Sequence, residues 1–463
     1  MTLVRFVRQA AFIQAALLIG VIGATVQADD WPQWMGVNRD AVWNEPGITR
    51  EFPEDGPPVK WRIPIGTGYA GPAVADGKIF LMDRKQEMDA EGQPAINRDV
   101  SPPAFLGTER VFCVSAETGE MIWEHEYDCP YQIQYQNGPR TTALIEDGRC
   151  YALGAMGDLY CFDADTGDVI WHKNFPQQYS AKPPLWGWSN HPIIDGDLLY
   201  CTVGGEGSAV VAFNKHSGEE VWKSLTVEEI GYAPPVIYEA NGKKQLIVWL
   251  DTQVESLDPQ TGQSNWSQPF PEDAAPQRPV VTIMTPLFVG SHLYVSNFYN
   301  GSLMWDVAAD ASGAKKVWGA GRNDNHDEGL NILMMTPFVQ DGHIYGAAGM
   351  GQFRCIEANS GKVVWRDIAP LSEGRPAAFA TCFLVKNDDV FFIFNDSGDL
   401  IIAELSPEGY QELDRAKLLA ADGFARGRDV VWSHPAYANQ CFFGRNESEL
   451  ICVDLSEAGD GEQ

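Results

Sequence analysis

Short apolar runs separated by polar turns follow one another along most of this chain, and the same order of turn types returns each time. A cycle opens on a small, often Pro-containing segment: Gly71-Pro72-Ala73-Val74, His191-Pro192-Ile193-Ile194, Thr285-Pro286-Leu287-Phe288, Thr336-Pro337-Phe338-Val339 or His434-Pro435-Ala436. In several cycles an Asp-Gly pair comes next, at Asp76-Gly77, Asp147-Gly148, Asp195-Gly196 and Asp341-Gly342. Such pairs between apolar runs predict β-hairpins. A second strand follows, such as Arg149–Leu153, then a Gly-containing turn, then a third strand such as Leu159–Asp163. A Thr-Gly turn finally leads into a fourth strand that carries a tryptophan.

That last step is the most regular. Ala116–Trp123 reads AETGEMIW and Ala164–Trp171 reads ADTGDVIW, and related phrases end at Trp222, Trp266 and Trp365, with a looser copy ending at Trp318. Successive tryptophans are 48, 51, 44, 52 and 47 residues apart. A fixed period of this size means stacked units, and four short antiparallel strands per unit predict the blade of a propeller. A seventh, degenerate unit runs over residues 380–419, and an eighth begins at Trp432 and ends without a fourth strand. The orphan strand Val59–Ile65, carrying Trp61, predicts the closure. The expectation is an all-β, eight-bladed propeller over residues 58–456, its ring closed by an N-terminal strand. Trp61, Trp123, Trp171, Trp222, Trp266, Trp318 and Trp365 are its inter-blade packing residues.

Other segments fall outside the repeat. Residues 1–28 read as a secretory leader, with Arg5 and Arg8 before an apolar run and Val26-Gln27-Ala28 as the cleavage site; an uncleaved anchor is the alternative. The protein is therefore expected to be exported, periplasmic or extracellular, with no membrane span after cleavage, and monomeric. Residues 29–57, rich in Trp, Pro and Gly, are expected to pack on the ring. Residues 84–109 read as a surface insertion in the first blade, and 457–463 as an acidic tail. The net charge is −30, and loss of the two leader arginines takes it to −32. So acidic a surface repels phosphate backbones and excludes nucleic-acid binding.

Nine cysteines show no CxxC pair and no Cys/His cluster, so no metal site is expected. Ten residues before a tryptophan stand Cys113, Cys161, Ala212, Ser256 and Cys355, with Cys452 equivalent in the eighth unit. All are small, which fits a close-packed position. The spacing also leaves cross-strand disulfides open for Cys150 with Cys161 and Cys441 with Cys452. The recurring phrase, as in Cys161-Phe162-Asp163-Ala164-Asp165-Thr166-Gly167-Asp168-Val169-Ile170-Trp171, resembles the repeat of the pyrroloquinoline quinone (PQQ) propellers. These include the quinoprotein alcohol dehydrogenases and the BamB-type outer-membrane assembly proteins. Trp31-Pro32-Gln33-Trp34 and Asn137-Gly138-Pro139-Arg140 are similar to exported members of that group.

The resemblance implies two functional classes. A PQQ enzyme needs Ca²⁺, an Asp base and a flat platform. Trp186 or Trp188 offers a platform, but no calcium-ligand set and no vicinal Cys pair can be matched. The expectation is a non-catalytic binding or scaffold module of the cell envelope without cofactor, with PQQ/Ca-dependent alcohol oxidation as the alternative. Candidate residues lie in the loops joining each outer strand to the next inner strand: Arg140, Trp186, Trp188, His191, Arg278, Arg322, His326, Arg375, Arg428 and His434. Arginine forks and aromatic anchors there suit an envelope protein or a small anionic or peptidic ligand. An exposed Trp186/Trp188 pair would suit a carbohydrate.

Overall fold

The computed structural model describes residues 30–272, 278–321, 328–372 and 374–457. Eight four-stranded antiparallel sheets form the blades of an all-β propeller. Blade 1 consists of Ala73–Ala75, Lys78–Gln86, Gly107–Ser115 and Met121–Asp128. Blade 2 consists of Leu144–Glu146, Arg149–Leu153, Asp158–Asp163 and Val169–Asn174. The innermost strands of blades 3 to 7 begin at Ile193, Val236, Leu287, Phe338 and Cys382. In blade 8 the strands Ala436–Ala438, Cys441–Arg445 and Glu449–Asp454 take Val59–Pro64 as their fourth, with Trp61 opposite Cys452 and Ile63 opposite Leu450.

The turns follow their residues. Asp76 and Gly77 have φ of 51° and 71°, and Asp147 and Gly148 of 51° and 70°. Two successive positive φ values make the I′ turn whose twist matches the strands it joins. Burial then grades outward through each blade. In blade 3, Leu198–Thr202 is buried throughout, whereas in Glu220–Ser224 only Trp222 is buried.

That tryptophan crosses to the next blade. Its indole N–H donates to a carbonyl there: Trp123 to Ala164, Trp171 to Lys215, Trp222 to Pro259, Trp318 to Ala358, Trp365 to Ser406 and Trp61 to Ala116, at 2.8–3.1 Å. At five of these six the ring rests on the glycine of the next Thr/Ser-Gly turn, whereas blade 7 turns at Pro407-Glu408-Gly409 and a Cβ on Gly409 would meet nothing within 4 Å. A Cβ on Gly167 would lie 2.6 Å from Trp123, and one on Gly262 would lie 2.4 Å from Trp222. Glycine therefore serves twice, supplying the positive φ and leaving room for the indole. Cys113, Cys161, Ala212, Ser256, Cys355 and Cys452 sit directly across the ladder from the tryptophan of their own sheet, beside a bulge.

Two further junctions depart from the rule. Blade 5 carries the looser phrase, and nothing lies within 4 Å of a Cβ on its Gly313. The preceding Trp266 donates instead to Gln245 Oε1 of its own blade, at 2.9 Å. In blade 7, Asp414 occupies the tryptophan position opposite Ile402 and accepts the Phe52 N–H at 2.5 Å, so it holds the N-terminal segment.

All nine cysteines are buried free thiols, so the disulfides left open by spacing are not formed. The ladder explains this. Cys150 faces Phe162 while Cys161 faces Tyr151, and Cys441 faces Asp454 while Cys452 faces Phe443, so each pair is diagonal. In blade 1 the strands run in register out to Gln86 opposite Gly107. The insertion proper is thus 87–106, shorter than 84–109 at both ends.

Candidate functional site

Each innermost strand is entered from the loop that follows the previous blade's outer strand. At or just before its start, one position per blade clusters about Trp34 and the axial cavity: Gly71, Thr142, His191, Pro234, Thr285, Thr336, Phe383 and His434. Side chains alternate along extended backbone, so the residue two before each of these lies on the same side. These residues form a second tier of Tyr69, Arg140, Ser189, Tyr232, Ile283, Met334, Thr381 and Trp432, every one of which lines the same axial cavity. The cavity has a volume of about 190 Å³.

Trp34, from the segment ahead of the ring, closes the floor. Its indole stacks on His191 at 4.3 Å between centroids and meets His434 edge-on at 4.4 Å. Its N–H donates to Thr285 Oγ1 at 2.9 Å, and Thr336 Oγ1 donates to Thr285 Oγ1 at 3.1 Å. Thr142 ties the two histidines together: its backbone N–H donates to His191 Nδ1 at 3.0 Å, and its hydroxyl bonds His434 Nε2. An imidazole nitrogen that accepts a backbone N–H is unprotonated. Burial holds His434 down to about 3 and places His191 well below the usual histidine range, with His434 and Arg39 adding to the shift at His191. Both rings are therefore neutral at ordinary pH.

The mouth is aromatic and cationic. Tyr135 meets Trp432 at 5.7 Å and Trp186 packs on Tyr232 at 5.1 Å. Burial raises the hydroxyl pKa of Tyr69 and of Tyr232, so both stay protonated. The Arg140 guanidinium lies 5.2 Å from the Tyr69 ring centre and donates to the backbone carbonyls of Gln134, Tyr135 and Gly138. Arg426 is exposed and lies 4.8 Å from the centre of the Phe379 ring. Neither arginine pairs with a carboxylate among the described residues. Among the described residues no Asp or Glu lines the cup, although the chain holds 63 of them. Ca²⁺ takes oxygen ligands, chiefly carboxylates and carbonyls, and a PQQ reaction needs a carboxylate base. The described cup residues do not fit that group.

Of the sequence-derived candidates, Arg140, Trp186, His191 and His434 come together here. Four others do not. Trp188 is fully buried and donates to Val203 O at 3.2 Å, so it belongs to the core and no exposed tryptophan pair exists for a carbohydrate. Arg278 sits among Glu228, Glu229 and Asp251. Arg428 pairs with buried Asp396 at 2.5 Å and donates to Phe379 O at 3.0 Å. Arg375 is exposed and does not line the cup. Arg322 and His326 lie outside the described residues. The residues that sequence reasoning missed are Trp34, Tyr69, Tyr135, Tyr232 and Trp432. Carrying the two-residue alternation back from the Pro-containing openings would have found Tyr69, Tyr232 and Trp432.

The family described as outer membrane protein assembly factor BamB matches residues 107–366. BamB of Yersinia pestis is 25% identical over 224 residues, 45% of this chain and 53% of that protein. A quinoprotein ethanol dehydrogenase of Pseudomonas putida is 27% identical over 185 residues, 37% of this chain and 28% of that protein. The chain thus spans about half or less of the length of these relatives. Among solved structures, BamB from Moraxella catarrhalis superposes with a TM-score of 0.54 at 12% identity, covering 86% of this chain and 99% of that one. Quinohemoprotein alcohol dehydrogenase from Comamonas testosteroni superposes with a TM-score of 0.59 at 10% identity, covering 94% and 82%. At such identities these structures speak for the fold alone.

Proposed function

Because the chain belongs to the family of the outer-membrane assembly factor BamB, we propose that it is an exported, non-catalytic binding module of the cell envelope. Its axial cup captures an anionic or peptidic ligand that carries a flat apolar group. One observation carries this reading. In a chain of −30 charge, the cup presents aromatic faces and two guanidinium groups and no carboxylate among the described residues. Arginine's planar fork suits a carboxylate, and the tyrosine and tryptophan faces suit a flat body. The surrounding negative charge repels an anion at long range, so selection falls to the short-range cationic and aromatic contacts.

The secretory pattern of residues 1–28 and the BamB relative support an envelope location. No helix among the described residues is long and apolar enough to cross a membrane. The quinoprotein relative prompts a direct comparison. With PQQ and Ca²⁺ added, the reading expects neither a quinone absorbance on the protein nor dye reduction with alcohols.

Capture from envelope extract tests the binding role. Immobilised protein carrying Arg140→Ala and Arg426→Ala is expected to lose the species that wild type retains. Arg278→Ala, whose guanidinium is held among three acids, is expected to keep it. Equal capture by all three would sink the reading.

A further inference from the structure

Beyond Trp34, residues 31–43 run along the innermost strands of some blades and leave those of others uncovered. That segment attaches to three blades at one repeated position, two residues before the innermost hairpin turn. Trp31 and Val74 exchange backbone bonds at 2.8 and 2.9 Å, and Ile145 N donates to Pro32 O at 2.8 Å. Lys386 N donates to Ala41 O at 2.9 Å and Lys386 O accepts from Trp43 N at 2.8 Å. The equivalent residues of blades 3, 5 and 6 are Ile194, Phe288 and Val339, which pair with Leu199, Leu293 and Ile344 in their own blades. Among the described residues, none of these three backbones bonds to a segment outside its blade.

Beside them lies a groove of about 390 Å³. The seated segment forms one wall through Met35, Arg39 and Val42. Half-buried Ile237, Phe288 and Val339 stand on the other wall. The groove therefore combines apolar side chains with strand edges whose backbone groups are open. A lipid chain or a detergent satisfies the first and not the second, whereas a polypeptide satisfies both.

We propose that this groove docks an extended segment of a partner protein, with apolar side chains at alternate positions, meeting one backbone position per blade as residues 31–43 do on the other half. The net charge of −30 favours a segment with basic flanks. The proposal does not rest on the cup, which lies on the other side of Trp34.

The test is titration calorimetry of the full-length protein with a synthetic peptide of about ten residues, alternating valine and threonine between terminal lysines. Micromolar binding is expected. It should weaken at least about tenfold for Phe288→Glu combined with Val339→Glu. It should weaken comparably when alternate peptide nitrogens are methylated, a control that leaves the protein unchanged and so stands even if the variant folds poorly. Absence of heat at about 1 mM peptide, or full affinity of the methylated peptide, overturns the proposal. Sedimentation adds one more outcome: a dimer that the double variant abolishes would make the occupant a second copy of this chain, which also overturns it.

Discussion

Seven sheets carry tryptophan at one point of the outer strand, while the eight positions at or just before the start of the innermost strands hold only glycine, threonine, histidine, proline and phenylalanine. Both positions recur once per blade, but their neighbours differ. A docking tryptophan meets the next blade, itself a copy, so the same indole-on-glycine contact recurs at five of the seven junctions. The axial positions meet one unrepeated object, the Trp34 side chain, and an open cup. Nothing obliges them to be alike, and they are not. Uniformity at a repeated position marks architecture here, and variation marks the place where the molecule can be specific.

The contrast can be broken most forcefully at the docking layer. Trp123→Ala removes a buried indole and its bond to Ala164 and should cost about 3–5 kcal/mol, read as a fall in denaturation midpoint. A cost below about 1 kcal/mol would mean that docking does not hold the ring. Gly167→Ala comes next, at about 2–3 kcal/mol, since it meets both a φ of 77° and the Trp123 ring. Gly313→Ala, with open space around it, should stay within about 0.5 kcal/mol. Equal losses at the two glycines would remove the distinction between a regular junction and the irregular one.

At the axis the expected effect is smaller and depends on pH. His434 is held down to about 3 in the fold by burial, below its value in the unfolded chain. The unfolded chain therefore binds a proton first, so the contribution is complete above about pH 6.5 and is lost as pH falls toward 3. Near pH 5.5 that is about 1.4 kcal/mol for this ring, and His434→Gln should flatten the pH dependence by about as much. An unchanged slope would show that the floor around Trp34 admits a charged imidazole. Smallest in energy is a count of thiols. Native protein should expose almost none to Ellman's reagent, and unreduced denatured protein all nine. Seven would mean that one of the diagonal pairs closes.

The fold was legible because its determinant repeats. The Thr-Gly-to-Trp phrase gives the period, the strand count gives the blade, and Trp61 supplies the missing fourth strand. The site was only half legible. Arg140, His191 and His434 stand in or beside the Pro-containing openings, where the repeat draws attention to them. Arg278 and Arg428 read alike in sequence, yet their acids come from elsewhere: Glu228 and Glu229 lie 50 and 49 residues away, and Asp396 lies 32 away. Trp188 sits in a loop rich in Pro, Gly and Ser and reads as surface. It is buried because Gly157, on a different turn, leaves room for its ring. Trp34 could not be placed at all, since its position depends on where an unrepeated segment threads.

The most direct test is a calorimetric titration with indole-3-acetate, a flat ring bearing one carboxylate, against neutral indole. The acid should bind saturably and at least about tenfold tighter than indole. That preference should be lost in Arg140→Ala with Arg426→Ala and kept in Gly313→Ala. Equal affinity for the two probes, or a preference that survives loss of both arginines, would contradict it.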